Sequence, residues 1–248
     1  MDHFHAQRQR LHSLFGVFFA PEVTAALLEL ARPALALGAE GEATVRLGGA
    51  PVLPVGEEWP VVAGRPLDFL GAVDFGEIAA LGAVPWLPDK GVAAFYGGAG
   101  CRVFAGEMRE AERPEGASAY PSCPLGAKPF LSVPSPQEPA LRRLEAAYSG
   151  CLPLYEQLHA AWAQHAWPDD APMHQIGGWP VLARDPEGPQ ATESGWRLLL
   201  QLDSDNRLGW DWGGSGRVYF CVRENAPVDS ACLTAQAAEG QRRRATNA

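Results

Sequence analysis

Apolar positions along this chain change their period several times, and each change marks an element. Near the start Leu11, Leu14, Phe15, Phe18 and Phe19 recur every three to four residues, the spacing of one helical face. Pro21 suits the first turn of a second helix, where its missing N–H costs nothing; that helix is expected over 22–30, ending before Pro33. At 43–47 the period drops to two, as in a strand. Gly48-Gly49 then permits positive φ and a sharp exit, and Pro51 an extended course. Residues 66–74 are almost continuously apolar, which predicts a strand buried on both faces, with Asp74 as the N-cap of a short helix. Strands are expected at 92–96 and 101–104. Prolines punctuate 120–136, which reads as coil wrapping the surface. Helices follow at 138–150 and 154–167. The second carries Leu154, Leu158, Ala161, Trp162 and His165 on one face and is closed by Pro168-Asp169-Asp170-Ala171-Pro172. Then come a strand on either side of a 184–195 loop, a buried strand at 196–203, an insertion rich in acids, Trp and Gly at 204–215, an alternating strand at 217–223 and a last strand within 228–236.

Part of this pattern occurs twice. Leu47-Gly48-Gly49-Ala50-Pro51-Val52-Leu53, Phe69-Leu70-Gly71-Ala72-Val73-Asp74 and Gly91-Val92-Ala93-Ala94-Phe95 have counterparts in 174–182, 198–203 and 216–220, and the offsets agree (177 − 48 = 129, 203 − 74 = 129). The expected architecture is α+β: two duplicated β-rich units with connecting helices and an N-terminal helical segment. It forms one domain over 1–236, with repeat one at about 43–104, a helical connector at about 137–167 and repeat two at about 172–223. The polar tail 237–248 is expected to be disordered. Gly48-Gly49 and Gly177-Gly178 should then occupy like backbone settings.

Composition narrows the function classes. A net charge of −9 with a single basic run, Arg242-Arg243-Arg244, excludes the basic stripe by which a protein neutralises phosphates, so neither nucleic acid nor an anionic membrane is expected as partner. Cys101, Cys123, Cys151, Cys221 and Cys232 are scattered without a CxxC pair, which fits reduced thiols in the cytoplasm. The N-terminus lacks an apolar signal core and no run is long and apolar enough to span a bilayer.

The repeated motifs match a known pattern. Gly48-Gly49-x-Pro51-x-Leu53-Pro54 with Glu58-Trp59-Pro60, Leu67-x-Phe69-Leu70-x-x-Val73-Asp74 and Leu87-Pro88-x-x-Gly91-x-x-x-Phe95 resemble the YwqG-like family. So do His174-Gln175-x-x-Gly178-x-Pro180, Leu198-Leu199-Leu200-Gln201-Leu202-Asp203 and Trp212-Gly213-x-x-Gly216-x-x-Tyr219-Phe220. The matches run over about 46–220. The resemblance implies a domain of unknown function found chiefly in bacteria, an α+β fold on duplicated β units, and no catalytic residues to carry over. This chain departs where the family has Gln in the first buried strand: Ala72 stands there, while the second repeat keeps Gln201.

The candidate chemistry is sparse. Gln201 lies inside an apolar strand, so its amide either ties a loop to the sheet or lines a pocket between repeats. His174 has no nucleophile at a known spacing; His3, His5 and His12 decorate the terminus. Ser194 and Ser215 lack a Gly-x-Ser-x-Gly context. Asp203-x-Asp205-Asn206 starts like a calcium loop but has Arg207 and Leu208 where Asp/Asn and Gly belong. Trp210-Asp211-Trp212 is either a recognition hot spot or a plug at the end of the sheet. The reading is a non-enzymatic binding or interaction module for an unknown protein or small-molecule ligand. Trp59, His174, Gln201, Asp203, Asp205, Trp210 and Asp211 are its candidate contacts, with no catalytic residue, metal or cofactor. The alternatives are an enzyme, such as a metal-assisted hydrolase using the acidic loop, and an immunity protein that neutralises a toxin.

Overall fold

In the computed structural model two short helices lead into one large sheet. The structure describes residues 4–168, 171–183, 189, 192–214 and 216–237, with the backbone alone at 39–41. His3, Asp169, Asp170, most of the 184–195 loop, Ser215 and the tail from 238 lie outside the described residues.

Helix α1 (His5–Gly16) buries Leu11 and Phe15, and α2 (Pro21–Glu29), with proline in its first turn, buries Val23, Thr24 and Leu27. Phe18 falls in the turn after α1 and is 53% exposed, so the expected apolar face is shorter than its spacing implied. Strand β1 (Arg32–Leu47) runs 16 residues, starting eleven before the alternation at 43. After it come β2 (Val52–Pro54), the hairpin β3 (Val61–Val62) and β4 (Arg65–Pro66), and β5 (Asp68–Asp74). The Asp74 carboxylate accepts from Gly76 N and Glu77 N and so caps α3 (Phe75–Ala80), as expected. β6 (Val92–Gly97), β7 (Cys101–Gly106) and β8 (Met108–Glu110) complete the first half.

Residues 120–136 are not surface coil. They contain β9 (Cys123–Ser132), which pairs with β1 along most of its length, Arg32↔Ser132 to Leu47↔Cys123. Prolines are tolerated there because the strand's other edge meets no further strand. The Gln7 side chain of α1 covers that edge instead: its Nε2 donates to Pro129 O (2.8 Å) and its Oε1 accepts from Leu131 N (2.7 Å). Trp162 Nε1 donates to Leu131 O (2.8 Å) from the second of two further helices, α4 (Pro139–Ala147) and α5 (Leu152–Ala163). α5 buries Tyr155, Leu158, Trp162 and Ala163; Ala161 and His165 are exposed, so its inward face is rotated from the one expected. The chain closes with β10 (Gln175–Gly177), β11 (Trp196–Asp203), β12 (Arg217–Arg223), a 3-10 turn (Val228–Ser230) and β13 (Cys232–Gln236).

The resulting fold is mixed α+β and mostly β. Its main sheet has nine antiparallel strands in the order β13-β12-β11-β10-β1-β5-β6-β7, with β9 on β1. The sheet curls until its two ends meet. Cys101 Sγ of β7 lies 3.5 Å from Ala231 O beside β13, and inside the roll Phe95 of β6 meets Phe220 of β12 edge to face at 5.1 Å.

The two ends of the sheet are built alike. Arg46 pairs with Ala72 as Gln175 pairs with Gln201. A register shift between Phe69 and Gly71 precedes Gly71↔Phe95, and one between Leu198 and Leu200 precedes Leu200↔Phe220. Gly48 and Gly49 (φ +61°, +77°) and Gly177 and Gly178 (φ +69°, +74°) turn the same left-handed corner. No side chain fits at either: a Cβ on Gly48 would lie 2.1 Å from Pro121 O, and one on Gly178 2.7 Å from Ser132 Cβ.

Candidate functional site

The corner at Gly177-Gly178 releases a segment, 179–183, that lies over the outer face of β10, β11 and β12. It makes no ladder of its own, so its backbone groups need side-chain partners. Gln175 Nε2 donates to Trp179 O (2.6 Å), and Trp179 N donates to Ser132 Oγ (3.0 Å). Ser135 Oγ donates to Pro180 O (3.0 Å), and Tyr219 OH to Val181 O (2.9 Å). The fully buried Gln201 ties two segments at once: its Oε1 accepts from Val181 N (2.8 Å) and its Nε2 donates to Met173 O (2.6 Å). The Gln201 amide is thus a tie between loop backbone and sheet, and both its polar atoms are engaged. In the first half Arg46 Nη1 donates to Ala50 O and Tyr96 OH to Val52 O, holding the corresponding segment with different side chains.

Beyond the end of β11 the chain forms a tight loop closed by a two-residue bridge, Asp205↔Trp210. His174, fully buried, fixes its base. The ring Nδ1 accepts from Asp203 N (3.0 Å), so the ring proton sits on Nε2, which donates to Asp205 Oδ2 (3.1 Å). Asp205 is also buried and accepts from Arg207 N (2.9 Å) and, side-on, from Arg207 Nε and Nη2, the shortest contact being 2.7 Å. Burial alone would raise the Asp205 carboxyl, but the hydrogen bonds from His174 and Arg207 outweigh it and hold it well below the usual carboxylate range. Asp203 is paired as well: Arg217 Nε lies 3.3 Å from its Oδ1, and Met173 N donates to its Oδ2 (2.9 Å).

Asp203, Asp205, Arg207 and Arg217 line a cleft of about 780 Å³ together with Pro172, Met173, Asn206 and Asp211, and the fully buried His174 stands behind them. Asp211 is exposed at its mouth, with Oδ1 accepting from Gly213 N and Gly214 N. Trp210 also lines the cleft but is only 2% exposed. It packs against Tyr120, His174 and Trp212 at 5.4–6.2 Å, and its Nε1 has no partner among the described residues. It therefore plugs the loop inward and is not presented as an exposed anchor. Trp59 is not brought to the cleft. It belongs to a separate cluster outside the first half of the sheet, edge-on to Tyr96 at 5.2 Å, with Nε1 donating to Leu67 O. The seven candidate contacts therefore do not gather at one place. His174, Asp203, Asp205, Trp210 and Asp211 converge at the end of the second half, Gln201 stands just behind them, and Trp59 is elsewhere.

Arg207 and Arg217 were missed by sequence reasoning, because nothing local distinguishes them from solvated arginines. At the matching place in the first half a hollow of about 430 Å³ is lined by Thr44, Arg46, Ala72, Asp74 and Val92. Register sets Val92 against Asp74 where Arg217 stands against Asp203, so the ion pair belongs to the second half alone. Among the described residues no group of three or more His, Cys, Asp or Glu side chains is placed to hold a metal ion.

Two other ionisable groups, the buried Glu138 and the half-buried His159, lie in the helical layer. Glu138, at the N-terminus of α4, has no exposed surface and no hydrogen-bond partner for either carboxylate oxygen among the described residues. Burial, opposed in part by the Arg32 charge, pushes its carboxyl up to about 7. Arg32 itself lies 3.3 Å over the Trp179 ring. Burial pushes the His159 imidazole of α5 down to about 4.

No curated protein matches the chain in sequence. A family model described as "Domain of unknown function (DUF1963)" matches residues 45–227, from the second part of β1 to just past β12. That span holds every residue lining the cleft, and the chain belongs to the DUF1963 family.

Proposed function

We propose that this chain is a YwqG-like, non-catalytic binding protein: one domain over 1–236 that arose by duplication of a β unit and keeps its ligand site on the second copy. The 129-residue sequence offset, the like registers and the two Gly-Gly corners support the duplication. One observation carries the binding reading: the lone pairs of His174, Asp203 and Asp205 are taken up by neighbouring donors. Both His174 nitrogens are engaged, Asp205 is committed to Arg207 and Asp203 to Arg217. A general base needs a free lone pair facing a substrate, and none of these offers one. A metal-assisted hydrolase would first have to strip both aspartates of their arginines. What remains for a ligand is the Asp211 carboxylate and the outer edge of Arg207, whose side chain is 44% exposed. Such preorganised polar groups around a concavity are the usual equipment of a small-molecule site. We place the protein in a reducing cytoplasm, its five cysteines unbridged, with a small molecule or protein as partner.

The test is ligand-observed NMR and thermal shift against a library graded by charge, on wild type, Arg207→Met and Asp211→Asn, with product analysis of every hit. Hits should raise the wild-type Tm, lose that effect in at least one variant, and be recovered unchanged. Conversion of a hit to product, or hits indifferent to both substitutions, would overturn the reading.

A further inference from the structure

Arg207 lines a second hollow as well. This one, of about 320 Å³, opens between β1, β9 and the segment after α5, and shares Ala171, Pro172 and Arg207 with the charged cleft. The two hollows are lobes of one groove with Arg207 at their junction. Their chemistry differs. The smaller lobe is walled by Ala36, Ala166, Trp167 and Pro172, and no carboxylate is among its described lining. The lysine and arginine among that described lining are Lys128 and Arg207. Arg207 gives Nε and one N–H of Nη2 to Asp205, which leaves three N–H groups for a further acceptor. Its fork is held rigid by that pairing, so little rotamer freedom is left to lose on binding.

Resting on the binding reading above, we infer that the smaller lobe takes a small hydrophobic carboxylate, an aromatic or branched-chain acid. The carboxylate meets Arg207 and Lys128 and the apolar body fills the space against Ala166 and Trp167. A two-pronged match of this kind uses both features of the lobe, its cationic rim and its apolar wall. The size, near the lower end of small-molecule sites (~300–1,000 Å³), favours a free acid over the end of a folded chain.

The experiment uses the full chain with 3-phenylpropionate, 4-methylpentanoate, the matching amides, and an acetylated tripeptide ending in Phe, read by isothermal titration and protein-observed NMR. Arg207→Lys could loosen the Asp205 loop, so the deciding variant is Gly38→Leu. Gly38 lines the lobe on the sheet face that carries Lys128, since Ala36 pairs with Lys128, and an added Cβ there meets no atom within 4 Å, so a leucine there narrows the hollow without a clash at its Cβ. An acid should bind at least tenfold tighter than its amide. Gly38→Leu should weaken it at least tenfold at unchanged Tm, and Lys128→Ala several-fold. Equal binding of acid and amide, indifference to Gly38→Leu, or binding of the tripeptide without the free acids would each overturn the inference. If no acid binds but other compounds shift the Arg207 and Asp211 resonances, the inference falls and the binding reading stands. If nothing shifts them, both fall.

Discussion

Glu138 and His159 give this fold two opposed dependences on pH. Burial raises the Glu138 carboxyl from its ordinary 4.5 to about 7, so the folded state favours the protonated acid. Its contribution to stability is whole below pH 4.5 and is lost as pH climbs through about 7. With each pH unit of displacement worth about 1.4 kcal/mol, the loss is about 3 kcal/mol. His159 runs the other way. Burial lowers its ring from 6.5 to about 4, and the folded state favours the neutral form. That contribution is whole above pH 6.5 and is lost as pH falls through about 4. The residue keeps part of its surface in solvent, so about 3 kcal/mol is its ceiling. The windows overlap between about pH 4.5 and 6.5 with opposite slopes, and in the wild type they largely cancel. Glu138→Gln removes one of them. Urea denaturation of wild type and variant at fixed ionic strength from pH 4.5 to 7.5 isolates it, because the constant cost of the new amide drops out when the difference is followed against pH. The variant should gain about 3 kcal/mol on the wild type across the window, and His159→Gln should show the opposite trend. A Glu138→Gln difference level to within about 0.5 kcal/mol would refute the reasoning.

Gln201→Leu keeps the volume but strands Val181 N and Met173 O, and should cost about 2–4 kcal/mol in chemical denaturation. A loss below about 0.5 kcal/mol would show that solvent replaces the amide. Trp210→Ala should cost about 3–5 kcal/mol as a core truncation, whereas Asp211→Ala should stay within about 0.5 kcal/mol of wild type. Near-equal melting temperatures for the two would contradict their placement.

What could be read in the sequence was what is local. β11 and β12 stand at the expected positions because a continuous apolar run and a period of two are each sufficient signals, and Asp74 caps α3 because capping is a three-residue event. The first part of β1 escaped because alternating Ala and Leu are also good helix formers, and what makes 32–42 a strand is pairing with β9 and β10, about 90 and 140 residues along the chain. β9 escaped because proline bars a strand only when both edges are paired, and sequence does not say which edge is free. At the site, the buried polar residues stood out against apolar neighbours. Their arginine partners did not, since an ion pair across a hairpin depends on register. Trp210-Asp211-Trp212 read either as a recognition patch or as a plug; the Trp210 ring is buried beside the Asp205↔Trp210 bridge, as a plug requires, and the Asp211 carboxylate stays exposed.

The glutamine of α1 that covers the outer border of β9 has a consequence for how this chain avoids sticking to itself. An unpaired strand border presents the amides and carbonyls of alternate residues, a template on which another copy can add a strand. A helix laid across it, with one side chain imitating the missing neighbour at Pro129 and Leu131, satisfies those groups and blocks approach. The N-terminal helix thus shields this stretch of the border from edge-to-edge pairing with a second copy, and removing residues 4–16 would uncover it.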